Sequence, residues 1–264
     1  MSGTDVTVLI ACHHRSEYLR FHLWSLMSQD FRGLAVEVVV LNDGAADDKT
    51  EKHAKDYGAQ YLFTGQRQPG APAWRVPGFA FNIGIKRSNA KVVLLTCAEM
   101  YHVGETLIPV ATPSLDQDDR IGTPAILIDD EGQVIDALRG CGRHPEREVR
   151  EARFSTMRRF HAQDPFLANP FMPYFMAVNR QRLVDIGGYD EDFTGIGADD
   201  NDLTDRLRAS GCRYDFAPAE VIHLHHPKHK NLQSDPRYQH NVNLWKARKG
   251  TVVRNKHREW GTFT

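Results

Sequence analysis

No apolar run in this 264-residue chain is long enough to cross a bilayer; the longest, "VTVLIAC" and "VEVVVL", are strand-sized. No CxxC pair occurs. The four cysteines, Cys12, Cys97, Cys141 and Cys212, lie far apart, which favours reduced thiols in a cytoplasmic setting over a disulfide framework. Met1 leads into polar residues and then a strand, so no signal peptide is read. No GxGxxG follows the first apolar run, which disfavours a dinucleotide-binding Rossmann domain. Internal repeats and low-complexity tracts are also missing. What remains is the composition of an ordinary globular protein, 41% apolar and 25% charged, at a length one hydrophobic core supports. The expectation is one domain spanning 1–264.

Charge of one sign is scarce overall, at −1 net, yet it is unevenly spread. From Pro227 to Thr264 there are nine Lys/Arg against two Asp/Glu, and the remainder is acidic. A basic segment on an acidic body is expected to meet an anion: a diphosphate, a nucleic acid or simply solvent counterions.

The first hundred residues alternate strand and helix. "VTVLIA" reads as a buried strand, and "SEYLRFHLWSLMSQ" as a helix with Leu19, Leu23, Leu26 and Met27 at helical spacing and Ser16 as N-cap. "VEVVVL" closes in the turn "NDG". A short polar helix, "AQYLFT", a Gly/Pro-rich loop, the helix "FAFNIGIKRSN" and the strand "KVVLLT" follow. Continuous apolar strands separated by helices imply a mostly parallel sheet flanked by helices, with ligands bound beyond the carboxyl ends of the strands. The middle reads as less regular. "RIGTPAILIDDEGQVIDAL" suggests a hairpin around "DDEG", and Arg139–Arg159, with seven arginines and three glutamates, a solvated helix.

The strand ends bring "ACHHR" (Ala11–Arg15), Asp43 and Glu99 to that crevice. Further on, "TGIGADDNDLTDRL" delivers Asp199, Asp200 and Asp202 to the start of a helix. Such a cluster either caps the helix or serves chemistry that needs a fixed carboxylate.

These residues resemble a known family. "VTVLIACHHRSEYLRFHLWSLMSQ" with "VEVVVLNDGAADDKT" is similar to the opening of glycosyltransferase family 2, which has the GT-A fold. "AFNIGIKRSNAKVVLLTCAEM" resembles its next block, an Asn-x-Gly helix and a strand ending in DxD. "GGYDEDFTGIGADDNDLTDRLRASG" resembles its later acidic block. That block and "HLHHPKHKN" also look like the catalytic half of metal-dependent galactosyltransferases. The chain then divides into a nucleotide-binding half (1–100), an acceptor and catalytic half (101–226) and a basic C-terminal segment (227–264).

The resemblance implies a hexosyltransferase that moves a sugar from a nucleotide sugar, UDP being the commonest carrier, to a hydroxyl with inversion. By family position Asp200 is the general base and Asp199 its acceptor-holding neighbour. A helix N-terminus beside them is expected to keep both ionised. Ala11, Cys12, Arg15 and Asp43 are expected to hold the nucleotide, with Arg75, Lys228 and Lys230 on the diphosphate. The DxD position reads "CAE", so Glu99 stands for its second aspartate and Cys97 is expected to be a packed thiol. Glu99 with histidines from His223, His225 and His226 is the expected site for Mn²⁺ or Mg²⁺, histidine suiting Mn²⁺ better. His223 and His225 share a face if the strand continues, whereas His226 joins His223 if it ends there.

The acceptor is expected to be a glycan or small molecule. Tyr238, Trp245 and Trp260 among the basic residues of the tail raise an alternative, a hydroxylated base in DNA reached by phosphate contact and stacking. A third reading, from the degenerate "CAE", is a non-catalytic nucleotide-sugar or glycan-binding protein.

Overall fold

The computed structural model describes residues 3–46, 49–65, 76–140, 158–160, 175–227 and 231–263. Arg75, Lys228, Lys230, Cys141, most of the Gly/Pro-rich loop and nearly all of the arginine-rich stretch lie outside the described residues.

The apolar runs become the strands they predict: β1 (Val6–Cys12), β2 (Val36–Asn42), β3 (Gln60–Phe63) and β4 (Val92–Cys97). Between them lie α1 (Ser16–Met27), α2 (Thr50–Asp56) and α3 (Gly78–Arg87). The chain continues through β5 (Met100–Val103), α4 (Leu107–Asp116), β6 (Arg120–Ile128), α5 (Gln133–Gly140), β7 (Arg158–Phe160), β8 (Phe175–Asn179) and α6 (Arg180–Asp185). It ends with α7 (Asp199–Ala209), β9 (Arg213–His223) and α8 (Pro236–Ala247).

One nine-stranded sheet has the order β3-β2-β1-β4-β8-β6-β9-β5, with β7 paired to β6. The pairings make β1, β2, β3, β4, β6 and β9 run one way and β5, β7 and β8 the other. Period-two alternation divides β1 between two cores. Val6, Val8, Ile10 and Cys12 pack with Leu19, Leu23 and Leu26 of α1 and Val110 and Ala111 of α4. Leu9 and Ala11 pack on the opposite face with Phe81 of α3 and Leu203 and Leu207 of α7. The carboxyl ends of β1, β2, β4 and β9 therefore share one edge, flanked by α1 on one face and α7 on the other.

The middle departs from expectation. Over residues 101–140 it is regular, and "DDEG" is a strand-to-helix turn rather than a hairpin. The Asp129 carboxylate accepts hydrogen bonds from the backbone N–H of Val134 and Ile135, which satisfies first-turn amides and starts α5. Val134, Ile135 and Leu138 then bury one face at helical spacing. Ser16 is the first residue of α1 rather than its cap; Arg15 takes the cap position without a side-chain bond.

The basic tail does meet anions, but those of its own body. Arg254 bonds Asp202 at 2.7 Å and Asp190 at 3.0 Å, Arg248 holds Asp190 and Asp192, and Arg258 reaches Asp192 at 2.5 Å. Trp245 donates to Asp205, and Trp260 is buried against the second core with the Lys86 ammonium over its ring. The aromatics and arginines that suggested a DNA-binding face are largely engaged inside the fold. No helix among the described residues is long and apolar enough to cross a membrane.

Candidate active site

At the crevice, the ends of β1 and β2 are laced together. The Asp43 N–H donates to the Cys12 carbonyl, and His13 Nδ1 pairs with the Asp43 carbonyl at 2.9 Å. Asn42 builds the "NDG" turn: its Oδ1 accepts from the Gly44 N–H and its Nδ2 donates to the Ala45 carbonyl. Asp43 is thereby buried at the strand tip, with Thr64 donating to one carboxylate oxygen at 2.9 Å. The Ala11 carbonyl accepts from the Ala98 N–H, so the first strand also abuts the loop carrying Glu99.

Glu99 sits in the two-residue link between β4 and β5. Its carbonyl accepts from the Leu224 N–H, and β5 pairs with β9 so that Met100 opposes His223. This register sets Glu99 beside the end of β9. The strand stops at His223, and the His223 and His226 rings lie 5.1 Å apart, the second of the two arrangements the sequence allows. His225 is turned elsewhere. Its ring packs over Gly132 in the turn before α5, its N–H donates to Asp129, and its carbonyl accepts from Tyr18. Burial pushes the His226 pKa down, against the opposing pull of Glu99, so at neutral pH the ring is an uncharged nitrogen donor.

Arg15, expected on the nucleotide, pairs with Glu99 at 3.1 Å. No group of three His, Cys, Asp or Glu side chains among the described residues forms a ready cation cage. Glu99, His223 and His226 nonetheless share a corner, and their oxygen and nitrogen donors are of the kind that suits Mn²⁺. Cys97 does not join them as a thiolate. Burial raises its pKa well above the usual thiol range, and the charges of Glu99, Asp200 and Asp199 push the same way.

That electrostatic coupling also locates the acidic pair. Asp199 and Asp200 open α7 on the side of the sheet edge that holds Cys97 and Glu99. Neither caps the helix: the cap position is Ala198, in a left-handed conformation at φ 67°. Burial works against the expectation that both stay ionised. Burial, reinforced by the charge of Asp200, raises Asp199 well above the carboxylate range; burial pushes Asp200 up to about 6. Desolvation outweighs the helix N-terminus, whose contribution at a surface is typically below about 1 kcal/mol. At neutral pH Asp200 is therefore mostly a carboxylate with the basicity of a poised proton acceptor, while burial favours the neutral form of Asp199.

Tyr189 was missed in the sequence. Fully buried and stacked on Phe81 with ring centroids 5.6 Å apart, it donates from its hydroxyl to Asp200 at 3.4 Å. The only signal for it was its place in "GGYDEDF". Gly188 leaves room there: a Cβ would stand 2.4 Å from Asn82 Oδ1 and 2.7 Å from Trp260. Behind the metal corner, His22 of α1 holds the Cys97 carbonyl through Nδ1 at 2.9 Å and faces His102 of β5 at 3.4 Å.

The comparison with family profiles decides the classification. Residues 7–184 match glycosyl transferase family 2. The chain belongs to glycosyl transferase family 2. Residues 167–230 also match a second profile, the N-terminal domain of galactosyltransferase, which takes in α7 and the histidine corner. No curated protein matches the chain. Among solved structures it is similar to GalNAc-T7 with UDP, GalNAc and Mn²⁺, at 16% identity over 92% of this chain and 48% of that one, with a TM-score of 0.61. TarS of S. aureus matches at 17% identity over 92% and 39%, TM-score 0.57. The mannosyltransferase PcManGT from Pyrobaculum calidifontis, in complex with GDP-Man and Mn²⁺, matches at 14% over 94% and 64%, TM-score 0.55. These likenesses establish the GT-A fold of this family 2 chain, which spans from about two-fifths to just under two-thirds of those structures' lengths.

Proposed function

We propose that this family 2 chain is an inverting glycosyltransferase that transfers a sugar from a nucleotide sugar, with UDP as carrier, to a hydroxyl of a glycan or small molecule. The observation that carries the reading is that Asp200 opens α7 near the strand-tip corner, close enough for its charge to act with those of Asp199 and Glu99 on the Cys97 thiol at the end of β4. In the reaction the acceptor oxygen bonds the anomeric carbon as the bond from that carbon to the diphosphate oxygen breaks on the opposite face. The acceptor's proton passes to Asp200, and the electron pair of the broken bond leaves with the nucleoside diphosphate. Burial favours the neutral form of Asp199, which in that form offers the acceptor both a donor and a carbonyl oxygen.

Asp43 and the backbone of Ala11 and Cys12 line the nucleotide end, and Arg15, Arg75, Lys228 and Lys230 are assigned to the diphosphate. Glu99, His223 and His226 would hold a divalent ion, Mn²⁺ by their chemistry, which supplies positive charge to the departing diphosphate. His225 has a backbone anchoring role and stands second to His226 as a ligand. Three of the cysteines, Cys12, Cys97 and Cys212, are free thiols, in keeping with a cytoplasmic setting.

The test is incubation with UDP-glucose, UDP-galactose, their N-acetyl derivatives and GDP-mannose, each with Mn²⁺, and measurement of released nucleotide and product mass. Release that disappears in Asp200→Asn supports the enzyme. Saturable UDP binding without release from any donor, across glycan and small-molecule acceptors, supports a binding module instead.

A further inference from the structure

The loop that delivers the acidic pair, residues 194–197, has almost no regular structure of its own, yet it is held from outside by one side chain. Asn241 of α8 is fully buried. Its Nδ2 donates to the carbonyls of Thr194 at 2.7 Å, Gly197 at 2.9 Å and Ile196 at 3.1 Å, and its Oδ1 accepts from the Thr194 N–H at 3.4 Å. Gly197, at φ 77°, lies so close that a Cβ would stand 2.7 Å from the Tyr238 ring of the same helix. Ala198 then continues in the left-handed region, and Asp199 begins α7. Ala198, a non-glycine residue in that region, is strained unless its surroundings over-determine it. Here the surroundings are α8 together with Val76, whose N–H donates to the Gly195 carbonyl at 2.9 Å. The carboxamide matches four backbone groups with one rigid plane, a fit that neither Asp nor Leu, similar in size, reproduces.

Resting on the reading of Asp200 as the base, we infer that Asn241 is a positioning residue: it fixes the 194–197 loop and so sets where Asp199 and Asp200 stand over the acceptor. On this account the C-terminal helix belongs to the catalytic apparatus, although it touches no reacting atom. The base must lie within hydrogen-bond reach of the acceptor hydroxyl, and a displacement near 1 Å costs about 100-fold in rate.

The test uses the full chain with Asn241→Ser and Asn241→Asp, reading turnover of the best donor, UDP–Mn²⁺ affinity by titration, Tm, and amide hydrogen exchange. The expected result is a 10- to 100-fold fall in kcat, UDP affinity within about twofold of wild type, and faster exchange confined to residues 194–200. Asn241→Asp, which sets a carboxylate against three carbonyls, is expected to be the worse of the two. Unchanged kcat overturns the inference. So does a fall in kcat matched by equal losses of UDP affinity and Tm, which marks an ordinary structural residue. A wild type without turnover on any donor refutes the proposed function instead; the hold of Asn241 on the loop is then judged by exchange, faster exchange at 194–200 upholding it and unchanged exchange overturning it.

Discussion

The Tyr189 hydroxyl donates to an Asp200 carboxylate oxygen at 3.4 Å, the one hydrogen bond among the described residues that reaches this side chain. It favours the ionised form and partly offsets the burial that raises the Asp200 pKa. Nucleotide release is therefore expected to rise as the pH passes through about 6. Tyr189→Phe keeps the stacking on Phe81 and removes the donor, so the midpoint of the pH–rate profile should move upward. A midpoint that stays put or falls would show that this hydroxyl does not tune the base.

Asp200→Asn should trade activity for stability. Turnover is expected to fall by about 10²- to 10⁴-fold, the usual share of a general base. The sign of the stability change follows from the raised folded-state pKa. Protonated Asp200 is favoured in the folded state, and that advantage is complete below pH 3.8 and lost as the pH climbs through about 6. The neutral amide should accordingly stabilise the fold on the order of 2 kcal/mol at pH 7.5 and by little at pH 4. Urea titrations at the two pH values read this directly; equal effects at both would contradict it.

Removal of divalent ions with EDTA is expected to abolish release, with Mn²⁺ restoring it. Glu99→Gln and His226→Ala should each raise the Mn²⁺ needed for half-maximal activity by about tenfold or more, whereas His225→Ala should shift it least. Arg15 competes for Glu99 in the free protein. Arg15→Ala should thus tighten Mn²⁺ binding in the absence of donor, as read by calorimetry, and a weaker ion there would count against Glu99 as a ligand.

The tail is expected to be structural. Arg254, buried between Asp190 and Asp202, withdraws one of two cations from each carboxylate when removed, leaving Asp190 to Arg248 alone and Asp202 to Arg206 alone. Arg254→Ala should cost about 3–5 kcal/mol in urea unfolding, the range for breaking one partner out of a buried ion pair. High salt should not reproduce that loss, because buried pairs are poorly screened. A change below about 0.5 kcal/mol would place Arg254 among surface charges.

The residues explain what could be read in advance. β1, β2 and β4 are mostly apolar runs whose burial follows from composition, so their succession along the chain and their parallel direction were legible. Glu99 and Asp200 were legible through spacing to those strands and through resemblance. The helix after "DDEG" was not, because the Asp129 side chain that starts it competes with ordinary turn chemistry in the same four residues. Tyr189 was missed because nothing local marks a tyrosine whose partner lies eleven residues onward in another element.

The order of hydrophobic runs and the turn residues between them determined that this chain would form a mostly parallel α/β sheet with acidic side chains at its carboxyl edge; these are properties of short segments and of their period. Only the tertiary structure decided which histidine faces Glu99, that the arginines of the tail close on internal aspartates, and that burial lifts both Asp199 and Asp200 above the ordinary carboxylate pKa. Each of these depends on neighbours distant in the chain, through burial and Coulomb interactions that exist only once the chain has packed.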